Sequence, residues 1–368
     1  MTPCDLSSIV RRFAVAGAYQ EAVPYGSGHI NDTYAVRCAD GDASRRYLLQ
    51  RINHRVFRQP EKLMENVARV TRHLRSRILA EGGDPDRRSL TLIPTADGAD
   101  FLHDDRGDYW RMYLFIEGAR TYDLVENPDH VYEAARAFGD FQRGLADLPP
   151  PRLHETIPDF HHTPRRVEAF REALARDAAG RAADARSEID FVLRRADRAA
   201  RLIDLAAQGS LPERITHNDT KFNNVMIDDA TQRGLCVVDL DTVMPGLVLY
   251  DFGDAVRSGA NTAAEDERDL AKVAFNLQAF DRLAHGYLDA ARDFLTDAEI
   301  DELAFSAWLI TLEIGIRFLT DHLAGDVYFK VHRPGHNLDR CRTQFKMVAD
   351  MERHADAMAA IIHRHRRP

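Results

Sequence analysis

One run of fifteen residues, ITHNDTKFNNVMIDD from Ile215 to Asp229, holds the densest chemistry in the chain. It sets a histidine, an acid, a lysine and paired asparagines between apolar stretches. The residue types divide the labour of a group transfer. Asp219 can accept the proton of an attacking hydroxyl and hold that hydroxyl in line. Asn224 can give a neutral oxygen to Mg²⁺, which prefers oxygen ligands and takes few of them from protein. Lys221 can meet charge that builds on the group in transfer. His217 suits a structural role, shaping the loop. Taken alone, the run also reads as a polar turn, because Asn, Asp and Thr favour turns on their own account.

A second acidic site decides between those readings. CVVDLDT places a short apolar strand, Cys236 to Val238, directly before Asp239. Asp239 can supply a carboxylate to the same metal, and Asp241 is a further candidate ligand. Two acids so close at a strand end, with no cation beside them in sequence, are costly unless a metal or cationic group neutralises them.

The elements that must position these residues fall into two parts. EAVPYGSGHINDTYAVRC reads as two strands around a Gly-rich turn, Gly26-Ser27-Gly28, and RRYLLQRIN as a third strand. Pro60 opens a helix with Leu63, Val67, Val70, Leu74 and Ile78 on one face, closed by Gly82-Gly83. SLTLIPTADG and DYWRMYLFIEG are predicted as two more strands. After Gly118 the pattern turns helical. Val131 to Leu145 form one helix, and a long charged helix carries Ile189, Val192, Ala196, Ala199 and Ile203 on one face. The stretch AFSAWLITLEIGIRFLTDHLAG, although very apolar, carries Glu313, Arg317, Asp321 and His322 and reads as a buried core helix.

The predicted class is therefore α+β, a protein-kinase-like two-lobe fold. A small antiparallel-sheet N-lobe with one helix takes residues 1–117 and binds nucleotide. A large, mainly helical C-lobe, residues 118–368, carries the catalytic loop and the acceptor site. In such a fold, backbone amides of Gly26, Ser27 and Gly28 cover ATP phosphates. His29, Asn31 and Asp32 are unusually polar for a plain turn, which points to ligand contact and makes His29 and Asn31 candidate substrate-binding residues. The lysine expected on the third strand is missing. Gln50 holds the nearest register and Arg51 follows it, and alternation lets only one of the two face the nucleotide. Glu61 and Glu65 are possible partners for Arg51. Phe115 to Gly118, with Glu117, stands where a hinge offers backbone groups to adenine. Arg317 and Glu313, one helical turn apart, suit an ion pair. The pair His161-His162 suits packing or a surface place rather than metal.

Composition bounds the rest. With 45% hydrophobic and 29% charged residues and a formal net charge of −9, the chain lacks the basic face that nucleic-acid binding requires. The start shows no signal-peptide pattern and the four cysteines show no metal spacing, so a cytoplasmic, non-membrane monomer or homodimer is expected.

With these residues in hand, the chain resembles the aminoglycoside phosphotransferase/choline kinase superfamily, and within it the bacterial N-acetylhexosamine 1-kinases. GSGHINDTYAV, YLLQRINHRVF, HNDTKFNNVMID, CVVDLDTVMPGLVLYDFGDAVR and RFLTDHLAGDVYFKVHRPGHNLDRCRTQ carry the likeness, across nearly the whole length. The resemblance implies transfer from ATP, with Mg²⁺, to the anomeric hydroxyl of GlcNAc or GalNAc. It implies Asp219 as base, Asn224 and Asp239 as metal ligands, and His29, Arg317 and Tyr328 as sugar contacts. Asp251, in YDFGDAVR, is implied as a structural brace for the catalytic loop.

Overall fold

The computed structural model describes residues 5–26, 30–122 and 127–366. The architecture is α+β, with an antiparallel sheet in the N-terminal region and a mainly helical remainder. A short helix α1 (Leu6–Val10) leads into β1 (Ala18–Pro24), β2 (Asp32–Asp40) and β3 (Ala43–Ile52). Then come α2 (Pro60–Ala80), α3 (Pro85–Arg88), β4 (Leu102–His103) and β5 (Tyr109–Leu114). The sheet order is β1-β2-β3-β5-β4, with antiparallel neighbours. Its two faces separate cleanly. Val36, Cys38, Tyr47, Leu49, Trp110 and Met112 bury against α1 on one face. The other face turns toward the helical part.

One predicted strand is not there. SLTLIPTADG runs as extended chain, touching the sheet through an isolated bridge between Leu92 and Tyr113 and a bond from the Ile93 amide to Met112 O of 2.8 Å. Pro94 has no amide to continue a ladder. Its apolar alternation serves burial without pairing, and the edge strand forms later, at β4.

The helical part begins after β6 (Ala119–Arg120) with α4 (Pro128–Leu145), α5 (Thr163–Arg176), α6 (Arg186–Leu193) and α7 (Arg201–Ala207). The single long helix expected over Ile189–Ile203 is instead α6, a 3₁₀ turn at Ala196–Arg198, and α7. Val192, Ala199 and Leu202 still bury. Between the pieces Arg195 and Arg198 swing to Glu352, at 2.6 and 3.6 Å, so tertiary ion pairing overrides the local periodicity.

Short strands then frame the chemistry: β7 (Arg214–Thr216), β8 (Val225–Asp228), β9 (Gly234–Val237) and β10 (Met244–Gly246). The remaining helices are α8 (Val248–Gly259), α9 (Leu277–Ala291), α10 (Asp297–Ala324), α11 (His336–Arg353) and α12 (Ala355–His365). α10 opens on a capping box, Thr296 with Glu299, and stops at Gly325 in the left-handed region, φ +98°. It is the apolar helix singled out in the sequence. Long and apolar enough to cross a membrane by composition, it has 72% of its most apolar window buried in the protein. α4 and α9 cross closely: a Cβ at Gly286 would stand 2.1 Å from Tyr132 O, so only glycine permits the approach. That crossing seats Gln142 of α4 beneath the catalytic loop.

Candidate active site

The loop from His217 to Lys221 leaves β7, and β7 pairs with β10, Thr216 opposite Met244. Asp251 of α8 holds the loop from below. Its carboxylate accepts from the amides of His217 at 2.8 Å and Asn218 at 2.7 Å, and from Gln142 Nε2 at 2.7 Å. Its own carbonyl accepts from Thr220 Oγ1 at 2.5 Å. Two loop amides that face no strand thus find a buried acceptor, which is what an irregular buried loop requires. Asn218 adopts φ +65°, a conformation asparagine tolerates better than most residues.

His217 joins this loop to the acidic one. Its Nε2 lies 2.9 Å from Val238 O and its Nδ1 3.3 Å from the Asp219 amide. One tautomer satisfies both: Nε2–H donates to the carbonyl and Nδ1 accepts. Phe138 and Phe141 close on the ring edge-to-face, each at 5.7 Å. Thr242 Oγ1 donates to His217 O at 2.7 Å, and Asn218 Nδ2 donates to Thr242 O at 2.9 Å. These bonds tie the catalytic loop directly to the acidic one.

On this base stand the residues that can react. Asp219 keeps 26% of its side chain open and receives Lys221 Nζ at 3.1 Å. Desolvation pushes its carboxyl up, but Lys221 outweighs this and holds it below the usual carboxylate range. The same attraction raises the Lys221 ammonium. Asn224 Nδ2 donates to Asp219 O at 2.7 Å, while its Oδ1 accepts nothing among the described residues. The Val238 amide bonds Asn224 O at 2.9 Å, bringing Asp239 beside Asn224. Asp239 sits at φ +60°. Desolvation, then the charges of Asp241 and Asp219, push its carboxyl up to about 6. A free amide oxygen beside a carboxylate so reluctant to ionise alone fits a hard divalent cation. Among the described residues no group of three or more His, Cys, Asp or Glu could hold a metal by itself.

Other expected residues fall differently. Ser27, Gly28 and His29 lie outside the described residues, and Gly26 ends β1's side of the turn at φ +81°. Gln50 faces the helical part. Arg51 faces the other way, its Nε 2.9 Å from Asp32 and its Nη1 3.2 Å from Asp108. Neither glutamate of α2 reaches it: Glu61 accepts from Tyr109 at 2.6 Å and Glu65 meets His154 at 2.7 Å. Strand alternation explains the correction, since Arg51 is on the face opposite Gln50. Glu117 pairs its carboxylate with Arg46, and its carbonyl accepts from Arg87 at 2.6 Å. Asp241 is enclosed: one oxygen is ion-paired with buried Arg111 and the other accepts from Asn31 Nδ2 at 2.7 Å.

Glu313 does not pair with Arg317. It takes His161 Nδ1 at 2.8 Å and Thr163 Oγ1 at 2.6 Å. His161, 5% exposed, also reaches Asn218 O at 3.1 Å, so it buttresses the catalytic loop. Arg317 lies over the rings of Phe160, at 5.1 Å, and Phe329, at 5.7 Å, and no acid bonds it among the described residues. Arg166 stands near. Among the described residues its guanidinium donates to the carbonyls of Asp159 and Phe160, and burial, then the Arg317 charge, lower its pKa. Tyr328 is 64% exposed and packs on Phe329. Sequence reasoning missed Arg111, Arg166 and the buttressing of His161, because each acquires its role from a partner distant in the chain.

This fold and loop define a small-molecule phosphotransferase, and the comparisons agree. Residues 21–292 match the phosphotransferase enzyme family, and the chain belongs to that family. Among solved structures it is similar to a microcompartment-associated aminopropanol kinase, at TM-score 0.58 and 17% identity over 96% of this chain and 98% of that one. It is similar to an aminoglycoside phosphotransferase from Alicyclobacillus acidocaldarius, at TM-score 0.59 and 15% identity over 100% and 97%. A third is amicoumacin kinase in complex with AMP-PNP, Ca²⁺ and Ami, at TM-score 0.56 and 12% identity over 93% of each. At these identities the structures establish the shared fold.

Proposed function

We propose that this protein transfers the γ-phosphoryl group of ATP to the anomeric hydroxyl of an N-acetylhexosamine, GlcNAc or GalNAc, giving the sugar 1-phosphate. Asp219 receives the hydroxyl proton, and its depressed pKa keeps it ionised for that task. Lys221 offsets charge on the phosphoryl oxygens. Asn224 and Asp239 are the residues that would hold Mg²⁺, which when bound would neutralise phosphate charge. His217 and Asp251 keep the base and the metal side in register.

One observation carries the choice of acceptor. On the side of the catalytic loop reached through His161, Arg166 and Arg317 lie together, with no carboxylate hydrogen-bonded to either among the described residues, while the nearby Glu313 is taken up by His161 and Thr163. Choline, amino alcohols and aminoglycosides are cations, and like charges brought together across an interface cost several kcal/mol, on the order of a hundredfold or more in affinity. An N-acetyl carbonyl and ring hydroxyls instead accept from guanidinium, and Tyr328 and Phe329 offer aromatic faces to a sugar ring. The test is an acceptor screen by ADP release, with phosphorus NMR of the product to separate 1-phosphate from 6-phosphate. Faster turnover on choline, aminopropanol or kanamycin than on GlcNAc and GalNAc ends the sugar assignment.

A further inference from the structure

A row of polar side chains crosses the sheet at one level. Thr33 of β2, Gln50 of β3 and Arg111 of β5 are direct register partners. Gln50 Nε2 donates to Thr33 Oγ1 at 3.1 Å, and Arg111 Nε donates to Gln50 Oε1 at 2.9 Å. The row ends on Asp241, which is ion-paired with Arg111. Asn31, two residues before Thr33 and so on the same face, reaches the other Asp241 oxygen at 2.7 Å. Its Oδ1 accepts from the Asn53 amide at 3.0 Å, tying the end of the Gly-rich turn to the end of β3.

Two facts make this more than packing. The pair is buried, Arg111 at 1% and Asp241 at 3% side-chain exposure, and removing one partner of such a pair strands the other charge. The row also passes through Gln50, the position nearest to the strand lysine that the sequence lacks. The buried cation at this level of the sheet stands one strand over, on β5, and the glutamates of α2 are engaged elsewhere.

We propose that Arg111, Asp241 and Asn31 form a strut that fixes the sheet, from Asn31 ahead of β2 across to β5, against the metal loop, with Asp241 serving as anchor and not as metal ligand. Arg111 is a positioning residue here. It holds Asp241, Asp241 lies two residues from Asp239, and Asn31 ties the start of β2 to the end of β3. The idea rests on nucleotide-dependent phosphoryl transfer at this site and is independent of the acceptor.

A double-mutant cycle tests it: R111Q, D241N and R111Q/D241N in the full chain, with D239N for contrast. The readouts are ADP affinity by calorimetry and the magnesium half-saturation of that affinity, neither of which needs the acceptor. Each single change should weaken ADP binding about tenfold, and the double should be no worse than the poorer single, because coupled residues are not additive. Magnesium half-saturation should shift less than about twofold in D241N and at least about tenfold in D239N, since only Asp239 then loses a ligand oxygen. Multiplying losses in the double, or a magnesium shift in D241N equal to that in D239N, overturns the strut. N31A leaves the buried pair intact and covers the case of single mutants that do not fold. It should weaken ADP binding about threefold, through loss of the Asn31 bonds to Asp241 and to the Asn53 amide, with unchanged magnesium dependence, and wild-type affinity in N31A refutes the proposal. Failure of the sugar screen with ADP binding intact would count against the acceptor alone.

Discussion

The catalytic loop and the acceptor side are built on opposite plans. Around Asp219 nearly every polar group is answered within the protein: Asp251 takes two amides, His217 spans two loops, and Lys221 meets the base. Around Arg317 the groups are left open. Two guanidiniums lie on rings and carbonyls, with no carboxylate hydrogen-bonded to either among the described residues, beside an exposed phenol. The first plan keeps a reacting geometry rigid before substrate arrives, which is where electrostatic preorganisation gains most. The second leaves hydrogen-bond donors for a ligand to satisfy. Chemistry and choice of acceptor should therefore separate in mutants.

The sharpest break in that contrast is at the base. Asp219→Asn keeps the shape and removes the proton acceptor, so kcat should fall at least about a hundredfold, the usual scale for general-base catalysis. Steady-state ADP release checks it, and KM for both substrates should change little. A near-normal kcat would mean that the braced loop is not where the chemistry happens.

The brace itself comes next. Asp251→Ala strands the amides of His217 and Asn218 and the Gln142 side chain in a buried place. Each orphaned donor costs about 1–3 kcal/mol. Denaturant titration should show a loss on that scale, with kcat reduced alongside. Loss of kcat with unchanged stability would make Asp251 a chemical participant instead of a support.

On the acceptor side the expected signature is reversed. Arg317→Met keeps the stem over Phe160 and Phe329 but removes the donors. KM for the acceptor should rise about tenfold, the scale of one charge-assisted hydrogen bond, while KM for ATP and the unfolding midpoint stay near wild type. If kcat falls and acceptor KM holds, Arg317 acts in the transition state and the division between the two regions fails.

The same division governs what could be read from the chain alone. HNDTKFNN and DLD are contiguous text, so the residue types state their chemistry and their spacing states the fold. The hairpin around Gly26, α2 after Pro60 and the buried α10 follow from periodicity and caps. Arg111 could not be read that way. A lone arginine in DYWRMYLF says nothing until β5 is laid beside β3 and Asp241 arrives from 130 residues away. Gln50 and Arg51 are neighbours in sequence and equally open as readings, and only the sheet shows Gln50 on the helical side and Arg51 bound to Asp32 and Asp108 on the other. Glu313 and Arg317 have ideal helical spacing, yet His161 and Thr163 claim the glutamate from another segment. Local pattern fixes elements; partners for buried charge are chosen by the tertiary fold.

The smallest expected effect lies where the two regions meet. His161 bonds Glu313 on the acceptor side and Asn218 O in the catalytic loop. Burial pushes the imidazole down, but the Glu313 carboxylate outweighs it and holds the pKa above its ordinary value. Burial pushes Glu313 up, and His161 outweighs that in turn, leaving the carboxyl below its ordinary range. The signs then follow. The raised imidazole contributes stability that is complete below its unfolded pKa and is lost as pH rises through the folded one. The depressed carboxyl contributes stability that is present above its unfolded pKa and lost as pH falls through the folded one. The pair is therefore whole between about pH 4.3 and about pH 6.5, the ordinary values of the two groups, and weakens above that window. His161→Gln keeps donors near Glu313 without a titrating charge. Thermal unfolding across about pH 6 to 9 should show an alkaline decline in the wild type that is shallower in His161→Gln. Parallel curves would mean that His161 is neutral throughout, and that the catalytic loop is coupled to the acceptor side by shape and not by charge.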